Sequence, residues 1–379
     1  MKIVHSIGAK FAGDGIGYIA YQRVSGVYKR GFLKKVIAPA FVPSEIGSSY
    51  CLRIVFPGIV AAILSRFIPL SRRYLLRDRL FDWNASFNLP AADIFHCWSS
   101  QALFSMRRAK RKKQVTFLER SNSHPLTLLN ILTEEYRINS IKLCPTDPIL
   151  LNTQLKECEE SDFVIVPSDF AYGSFLVHGF DAARLILVPF GVDCKRFRPS
   201  VEPRTDTAFR VVYTGQVGIR KGVHYLMEAW SQLKLSNAEL VLVGWLHPDI
   251  LNILERYKGL PGVVIKAFTS DLESVYHSAS ICVFPSVEDG FGLVVLEAMA
   301  SGVPVIVTEN TGAKDAVTQG EDGFVVPIRD VKALKEKILY FYDNPDECRR
   351  MGDAAARKAK LHTWESCSEK LIAAYETAL

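Results

Sequence analysis

The chain has 379 residues, of which 49% are hydrophobic and 23% are charged. This composition excludes disordered, collagen-like and low-complexity proteins, and the length is sufficient for two domains. The 8 cysteines form no C-x-x-C pair and do not lie near histidines at the spacing of zinc ligands. We therefore expect reduced thiols rather than a disulfide framework, and no metal site.

Charge is distributed unevenly along the chain. The net charge is +6, but residues 1–113 carry 19 basic and 5 acidic side chains, a net of +14. Residues 201–379 carry 19 basic and 24 acidic side chains, a net of −5. A basic region of this kind favours an anionic partner, for which the candidates are phospholipid headgroups, a lipid diphosphate and nucleic acid.

The N-terminal residues contain no apolar run long enough for a signal peptide. The longest apolar run, residues 54–64, has 11 residues including a proline, whereas a helix that spans a bilayer needs about 20. Two interpretations of this run remain open, a buried core helix and an interfacial helix on an anionic membrane. We therefore expect a cytoplasmic protein, and under the second interpretation one bound to the inner face of the cytoplasmic membrane.

Short apolar segments alternate with helical segments in the first half of the chain. A strand at residues 2–7 leads into a glycine-rich loop, and a helix is expected from about residue 16. Further strands are predicted at residues 34–39, 93–97, 114–119, 163–167 and 185–189. This alternation predicts a parallel sheet covered by helices on both faces.

The same alternation restarts after a polar segment at residues 200–207, which is typical of a linker. Strands are predicted at residues 210–214, 239–244, 262–267, 281–285, 303–307 and 323–327. Helices are predicted at residues 223–233, 272–278, 293–300, 331–343 and 346–379. Two such α/β units facing each other form a cleft, and open α/β sheets bind ligands at the carboxyl ends of their strands.

Two loops in these units have the composition of phosphate sites. Gly15 and Gly17 lie in a loop between a strand and a helix, where backbone amides can approach a phosphate. Tyr18 breaks the G-x-G-x-x-G dinucleotide pattern, so a plain tight turn is an equal alternative. Arg220 and Lys221 follow the strand at residues 210–214 and suit a diphosphate, although a solvated basic turn would have the same sequence.

The segment at residues 284–307 carries the strongest signal. Ser286 follows a strand, and the residues that begin the next helix can hold a pyrophosphate with their backbone amides; they are Gly290, Phe291, Gly292 and Leu293. Asp289 precedes this helix and could simply cap it. Glu297 lies among apolar neighbours, where an ionised carboxylate needs a partner such as a sugar hydroxyl.

Asp289 and Glu297 resemble the E-x7-E motif of the family 4 retaining glycosyltransferases, which have the GT-B fold. Other segments match the family as well: residues 166–168, 188–193, Gly215, 220–222, 242–244, Thr311, Gly312, Asp315 and 320–327. The resemblance implies an α/β GT-B fold of two Rossmann-like domains facing a central cleft. The implied units are an acceptor domain at residues 1–199, a nucleotide-sugar domain at 200–360, and a helix at 361–379 that returns to the first domain.

The resemblance also implies roles for individual residues. Arg220 and Lys221 would neutralise the donor diphosphate, and the amides of residues 290–293 would donate hydrogen bonds to it. Gly215 and Ser286 would also contribute to the nucleotide-sugar site. Glu297 would bind the ribose. Asp289 would contact hydroxyls of the transferred sugar, but it is one methylene shorter than the family's glutamate. Gln216 stands where many members have an arginine, so the identity of the transferred sugar stays open.

His124 resembles the histidine that many members place near the transferred sugar, although a simple loop histidine remains the alternative. We expect Glu119 and Arg120, just before it, to face the cleft as well. Gly15 and Gly17 match the glycine loop that lies against the diphosphate or the acceptor. No separate nucleophile is implied, because the leaving phosphate itself helps to deprotonate the acceptor in this family.

The sequence thus predicts a metal-independent retaining glycosyltransferase without a cofactor. It would move a hexose from a UDP- or GDP-sugar to a lipid-linked or polysaccharide acceptor. The alternatives are a soluble enzyme with a small acceptor and a nucleotide-sugar-binding protein or epimerase of the same fold. Nucleic acid is not an expected partner, since the basic run at residues 107–113 has no interleaved aromatic residues.

Overall fold

A computed structural model describes residues 1–54, 70–142, 146–202 and 206–379. All but the first residue of the apolar run at 54–64 lie outside the described residues. Within the described ranges, no helix is both long enough and apolar enough to cross a membrane.

The first half of the chain forms a seven-stranded parallel sheet and a separate two-stranded pair. Its strands are β1 Ile3–Ser6, β2 Lys10–Phe11, β3 Leu33–Ala38, β4 Ala40–Phe41, β5 Cys51–Arg53, β6 Ile94–Trp98, β7 Val115–Glu119, β8 Phe163–Val166 and β9 Leu185–Leu187. The order in the large sheet is β5-β3-β1-β6-β7-β8-β9, and β2 pairs with β4. Strands β3 and β5 are added on one side of β1, and β6 to β9 on the other side. This change of direction leaves a crevice at the carboxyl ends of β1 and β6.

The helices described in this half are α1 Ile16–Lys29, α2 Leu70–Phe87, α3 Leu103–Arg111, α4 Pro125–Ile138, α5 Pro148–Glu160 and α6 Asp169–Val177. Three of them begin at a polar capping side chain that accepts a backbone N–H, namely His124, Asp147 and Ser168. Proline occupies the first turn of α4 and α5, where its missing N–H leaves no bond unmade. These caps fix the points at which the chain leaves β7 and β8 for the covering helices.

The second half forms a six-stranded parallel sheet with the order β12-β11-β10-β13-β14-β15. Its strands are β10 Phe209–Thr214, β11 Ala238–Val243, β12 Val263–Lys266, β13 Ile281–Phe284, β14 Val305–Thr308 and β15 Gly323–Val326. Its helices are α7 Val223–Ser231, α8 Leu251–Leu254, α9 Leu272–His277, α10 Leu293–Ala300, α11 Val331–Asp343, α12 Pro345–Ala359 and α13 Trp364–Thr377. Strand order reverses between β10 and β13, so both lie at a switch point that can receive a ligand.

All four residues of β13 and all four of β14 are buried. Burial on both faces explains why these strands are continuous apolar runs rather than alternating ones. The observed sheets confirm the prediction of two parallel α/β units. Several predicted strands include a terminal proline that the structure leaves outside, as at Pro167 and Pro285, because proline has no N–H to donate to the next strand.

The segment at residues 346–379 is helical as predicted, and it forms two helices because the chain breaks between α12 and α13. Val192 donates its N–H to the carbonyl of His362 at 2.8 Å in this break. Beyond the break, α13 packs along α1, and the Tyr375 hydroxyl lies 2.6 Å from Nδ1 of His96 in β6. The last helix thus contributes to the core of the first unit, whereas the predicted unit boundaries at residues 199 and 360 stay predictions.

Candidate active site

The carboxyl ends of β10 and β13 place two acidic and two basic side chains together. Arg220 NH1 lies 3.0 Å from Oε2 of Glu288, and the ammonium of Lys221 donates to Oδ2 of Asp289. The Arg220 side chain is 27% exposed, whereas that of Glu288 is fully buried. The basic turn predicted for a diphosphate is therefore not a solvated turn, because its charges are held by carboxylates of the neighbouring loop.

Burial and mutual charge shift the protonation equilibria of these groups. Burial alone would raise the pKa of Asp289, but the charges of Lys221 and Arg220 outweigh it and lower this pKa. Burial, followed by the repulsion of Arg220, lowers the pKa of Lys221. Burial opposes the charge of Arg220, but Glu288 and Asp289 raise its pKa. The two carboxylates thus favour the charged forms of both cations, whereas burial disfavours them.

Asp289 also organises the start of α10. Its Oδ1 accepts the N–H of Phe291 at 3.1 Å, while Gly292 takes a left-handed conformation (φ 85°) as the residue before Leu293. Phe291 is buried, and its ring lies 5.1 Å from that of Phe190. The capping interpretation of Asp289 is therefore met, since its carboxylate holds the loop before the helix while it also pairs with Lys221; its contact with the transferred sugar stays a prediction.

Glu297 lies in the second turn of α10 and is almost fully buried. Its Oε2 accepts a hydrogen bond from the hydroxyl of Tyr276 at 3.3 Å. Burial raises the pKa of Glu297 to about 7, although the Tyr276 hydrogen bond and Arg196 lower it. The partner that the sequence required for this carboxylate is thus a tyrosine of α9. Sequence reasoning missed Tyr276, because nothing in α9 marks it as a neighbour of α10.

Ser286 and Gly215 lie beside this cluster. Ser286 is fully buried, and its Oγ has no hydrogen-bond partner in the described part of the chain. Gly215 follows β10, and the Tyr213 hydroxyl two residues earlier donates to the carbonyl of Gln216 at 2.6 Å. The buried hydroxyl of Ser286 is therefore available for a hydrogen bond to a ligand.

The glycine loop before α1 is a tight turn. Gly13 donates to the carbonyl of Lys10 at 3.0 Å, and Gly17 donates to that of Asp14 at 3.2 Å. Gly15 has a φ of 57° and open space where a side chain would stand. Burial raises the pKa of Tyr18, which lies in the first turn of α1, although a hydrogen bond with Trp364 lowers it. Contact of this loop with a ligand stays a prediction.

His124 is buried and caps α4, since its Nδ1 accepts the N–H of Leu126 at 3.3 Å. Its ring stacks on His178 with centroids 4.3 Å apart and meets the edge of Phe175. Burial, and then the neighbouring His178, lower the pKa of His124 to about 4. This imidazole is thus neutral near pH 7. It is a helix cap by its contacts, and its role toward a sugar stays a prediction.

The prediction that Glu119 faces the cleft is wrong. Glu119 is fully buried within the first unit, where it lies 3.0 Å from Arg23 and 3.3 Å from His96. Arg120 is buried too, and its Nε donates to the carbonyl of Ser123 at 3.0 Å. Consecutive side chains at the end of β7 point to opposite faces of the sheet. Glu119 therefore contacts buried side chains of the first unit, whereas Arg120 donates to the backbone of the loop that leads to His124.

That loop meets the acidic segment of the other unit. Oε1 of Glu288 accepts hydrogen bonds from the backbone N–H of Ser123 at 3.1 Å and from its hydroxyl at 2.8 Å. A Cβ at Gly290 would overlap the carbonyl oxygen of Ser121. The structure therefore brings His124 into the same region as Arg220, Asp289 and the start of α10. Sequence reasoning assigned no contact to Glu288, because its partner Ser123 lies far away in the sequence.

Comparison with known proteins identifies relatives of part of this chain. Residues 208–344 match the family model described as glycosyl transferases group 1. A D-inositol 3-phosphate glycosyltransferase of Corynebacterium urealyticum is 28% identical over 58% of this chain and 57% of its own length. The capsular polysaccharide biosynthesis glycosyltransferase CapM of Staphylococcus aureus is 33% identical over 52% of each chain. The chain thus spans about half the length of the curated relatives that it matches.

Solved structures extend the likeness to the whole chain. Anabaena HepE, whose structure was determined in complex with UDP-glucose, superimposes with a TM-score of 0.70 at 17% identity, covering 100% of both chains. An identity this low shows the fold alone. These comparisons support the resemblance found in the sequence: residues 208–344 match the family model of glycosyl transferases group 1, and the whole chain has the GT-B fold of two facing Rossmann-like units.

Proposed function

We propose that this chain is a retaining glycosyltransferase that transfers a hexose from a UDP- or GDP-sugar to a polysaccharide or lipid-linked acceptor. The observation that carries the proposal is the pairing of Arg220 and Lys221 with Glu288 and Asp289 immediately before α10. It provides two cations beside a helix N-terminus, which is the environment that a diphosphate requires. The capsular polysaccharide function in the name of CapM and the UDP-glucose complex of HepE support the acceptor and donor classes.

The chemical task in such a transfer is to stabilise the charge that develops on the leaving diphosphate. Arg220 offers a planar fork of N–H donors and Lys221 a point charge, while Gly290, Gly292 and Leu293 add backbone amides near the positive end of the α10 dipole. The amide of Phe291 already donates to Asp289. The two cations would offset the charge of the diphosphate, which would compete for them with Glu288 and Asp289. We therefore propose transfer without a metal or cofactor.

The remaining residues would orient the donor. Glu297 would accept hydrogen bonds from the ribose hydroxyls, with Tyr276 fixing one of its oxygens. The hydroxyl of Ser286, which has no protein partner among the described residues, would form a hydrogen bond with the nucleotide sugar. Asp289 would contact the transferred sugar, and neutral His124 would serve as a hydrogen-bonding group rather than as an acid near pH 7. The leaving phosphate would take the proton of the acceptor.

Calorimetry with UDP, GDP, ADP and CMP tests the donor site, with Glu297→Ala as the first variant. We expect one nucleoside diphosphate to bind at micromolar affinity and to lose that affinity in the variant. Transfer is tested by incubating the matching nucleotide sugar with a glycan or lipid-linked acceptor and determining the anomeric configuration of the product. An inverted product would refute retention, and binding without transfer to any acceptor would favour the nucleotide-sugar-binding alternative.

We also propose that the first unit binds an anionic membrane surface through the exposed face of α2. Trp83 and Phe87 are 49% and 69% exposed, and their rings contact each other at 4.9 Å. Arg73, Arg77 and Arg79 are exposed on the same helix. Arginines beside exposed aromatic rings suit the interface of an anionic bilayer, and the net charge of +14 over residues 1–113 acts in the same direction.

Sedimentation with vesicles of anionic or zwitterionic lipid tests this surface. We expect binding to the anionic vesicles at low salt, weakened by Trp83→Ala together with Phe87→Ala. Trp245→Ala is the matched control, because Trp245 is 67% exposed on the second unit. If the chain stays in the supernatant with anionic vesicles, the membrane surface is refuted and the alternative of a soluble enzyme with a small acceptor is favoured.

A further inference from the structure

Glu288 is a fully buried carboxylate whose two oxygens have partners in different units. Oε1 accepts from the N–H and the hydroxyl of Ser123, at 3.1 and 2.8 Å. Oε2 accepts from NH1 of Arg220 at 3.0 Å. Oε1 is therefore satisfied only while the loop at residues 121–124 rests on the second unit, and leaving it without a partner would be costly because the carboxylate is buried.

The backbone around Glu288 is pressed against the first unit. Gly290 has no room for a Cβ beside Ser121, and its carbonyl accepts the hydroxyl of Ser168 at 2.7 Å. The same hydroxyl caps α6. Any separation of the two units at this point would break the contacts of Ser123 and Ser168 together.

Helix α4 fixes the other side of the same loop. Its Glu135 accepts from the hydroxyl of Tyr225 at 2.7 Å and from Nε of Arg329 at 2.7 Å. The next residue, Tyr136, donates its hydroxyl to Oδ2 of Asp249 at 3.0 Å. Oδ1 of Asp249 accepts the N–H of Ile219, the residue before Arg220, at 3.3 Å. The element that follows His124 is thus attached to the turn that carries the basic pair.

We propose that Glu288 is a positioning residue that couples the closure of the two units to the orientation of Arg220. With the units closed, Ser123 holds one oxygen of Glu288, and the other oxygen holds a single N–H group of Arg220. The rest of the guanidinium, in a side chain that is 27% exposed, is then free to orient toward a ligand. With the units apart, Glu288 loses the donors of Ser123 and competes with an incoming diphosphate for Arg220.

The coupling between closure and Arg220 rests on the geometry above, whereas the consequence for the donor rests on the proposed function. The two parts are therefore tested separately. Small-angle scattering of the donor-free protein tests closure alone. Glu288→Ala should increase the radius of gyration relative to the native chain. The matched control is Glu239→Ala, which removes a carboxylate 2.7 Å from Arg210 within the second unit and should leave the radius unchanged. An unchanged radius in Glu288→Ala would overturn the coupling.

Nucleoside diphosphate titrations of the same variants test the consequence for Arg220. Ser123→Ala and Glu288→Ala should each raise the dissociation constant of UDP or GDP by about tenfold, since apparent affinity falls with the fraction of competent molecules. The double variant should bind the nucleoside diphosphate no more weakly than Glu288→Ala alone, because both changes remove the same contact between Ser123 and Glu288. Additive losses would overturn the shared role.

Steady-state kinetics then separates positioning from structure. Glu288→Gln keeps an oxygen that can accept from Ser123, so this variant should keep the native radius of gyration. It places an amide group opposite Arg220, so it should raise KM for the nucleotide sugar more than it lowers kcat. Equal radii and equal KM values in this variant and the native chain would refute a role toward Arg220. If the native chain binds no nucleoside diphosphate at all, the proposed function fails, while the scattering experiment still decides the coupling.

Discussion

The hydroxyl of Tyr276 in α9 donates a hydrogen bond to the carboxylate of Glu297 in α10 across 3.3 Å. The same hydroxyl contacts Oγ1 of Thr214 at 2.8 Å, at the end of β10. Three elements of the second unit therefore converge on one buried carboxylate. This arrangement orients Glu297 before any ligand arrives, but burial leaves it with a pKa of about 7, so its charge depends on pH within the physiological range.

Nucleotide affinity should therefore depend on pH through Glu297. An ionised Glu297 can accept hydrogen bonds from ribose hydroxyls with both of its oxygens, and a protonated one accepts fewer and weaker bonds, so nucleotide affinity should fall as the pH drops through about 7. Because the pKa of Glu297 in the folded protein is raised above its ordinary value of 4.5, ionisation of Glu297 also destabilises the fold progressively as the pH rises from about 4.5 to 7. Glu297→Gln should flatten both profiles, as measured by calorimetry and urea unfolding across this range. A pH-independent affinity in the native chain would contradict this role of Glu297.

Lys221 should contribute to binding of the diphosphate rather than of the nucleoside. Lys221→Met removes a charged donor and should weaken UDP or GDP binding about 10- to 100-fold, as expected for a hydrogen bond to a charged group. Uridine or guanosine should bind equally well before and after the change. Lys266→Met is the matched control, because Lys266 is exposed at the carboxyl end of β12 on the same sheet. Equal loss of nucleoside binding would point to a collapsed site instead, and thermal unfolding identifies that outcome.

The predictable part of the fold and site is local in sequence. Strands such as β13 and β14 were located to within about two residues, because burial on both faces makes them continuous apolar runs. Arg220, Lys221 and Asp289 were found because each follows a strand of the same unit and belongs to a recognisable motif. These residues meet at the carboxyl edge of one sheet because β10 and β13, which they follow, are neighbouring strands.

The contacts that the sequence did not predict join distant residues. Ser123 and Glu288 are 165 positions apart, and their meeting depends on how the two units close, which no local pattern encodes. Glu119 was expected in the cleft, but its partners Arg23 and His96 come from α1 and β6. A carboxylate at the end of a strand has the same sequence signature whether it faces a cleft or a buried cation.

The Tyr375 hydroxyl should stabilise the attachment of α13 to the first unit. It lies 2.6 Å from Nδ1 of the buried His96. Tyr375→Phe leaves that nitrogen without its partner and should lower the free energy of unfolding by about 1–3 kcal/mol. Tyr342→Phe, which removes an exposed hydroxyl that donates to Ser236, should change it by less than about 0.5 kcal/mol. Urea unfolding measures both, and equal effects would contradict the role assigned to the buried hydroxyl.

The closed arrangement should depend on the absence of a side chain at Gly290. A Cβ there would meet backbone atoms of Ser121 and Asn122 rather than a flexible side chain, so neither neighbour can easily move aside. Gly290→Ala should therefore push the units apart, increase the radius of gyration of the free protein and weaken nucleoside diphosphate binding in the same way as Glu288→Ala. Gly173→Ala is the matched control, because Gly173 lies within α6 with open space around it, where alanine favours the helix. A Gly290→Ala protein that keeps the native radius and affinity would show that the loop at residues 121–124 yields without separating the units, and would remove the steric basis for closure at this point.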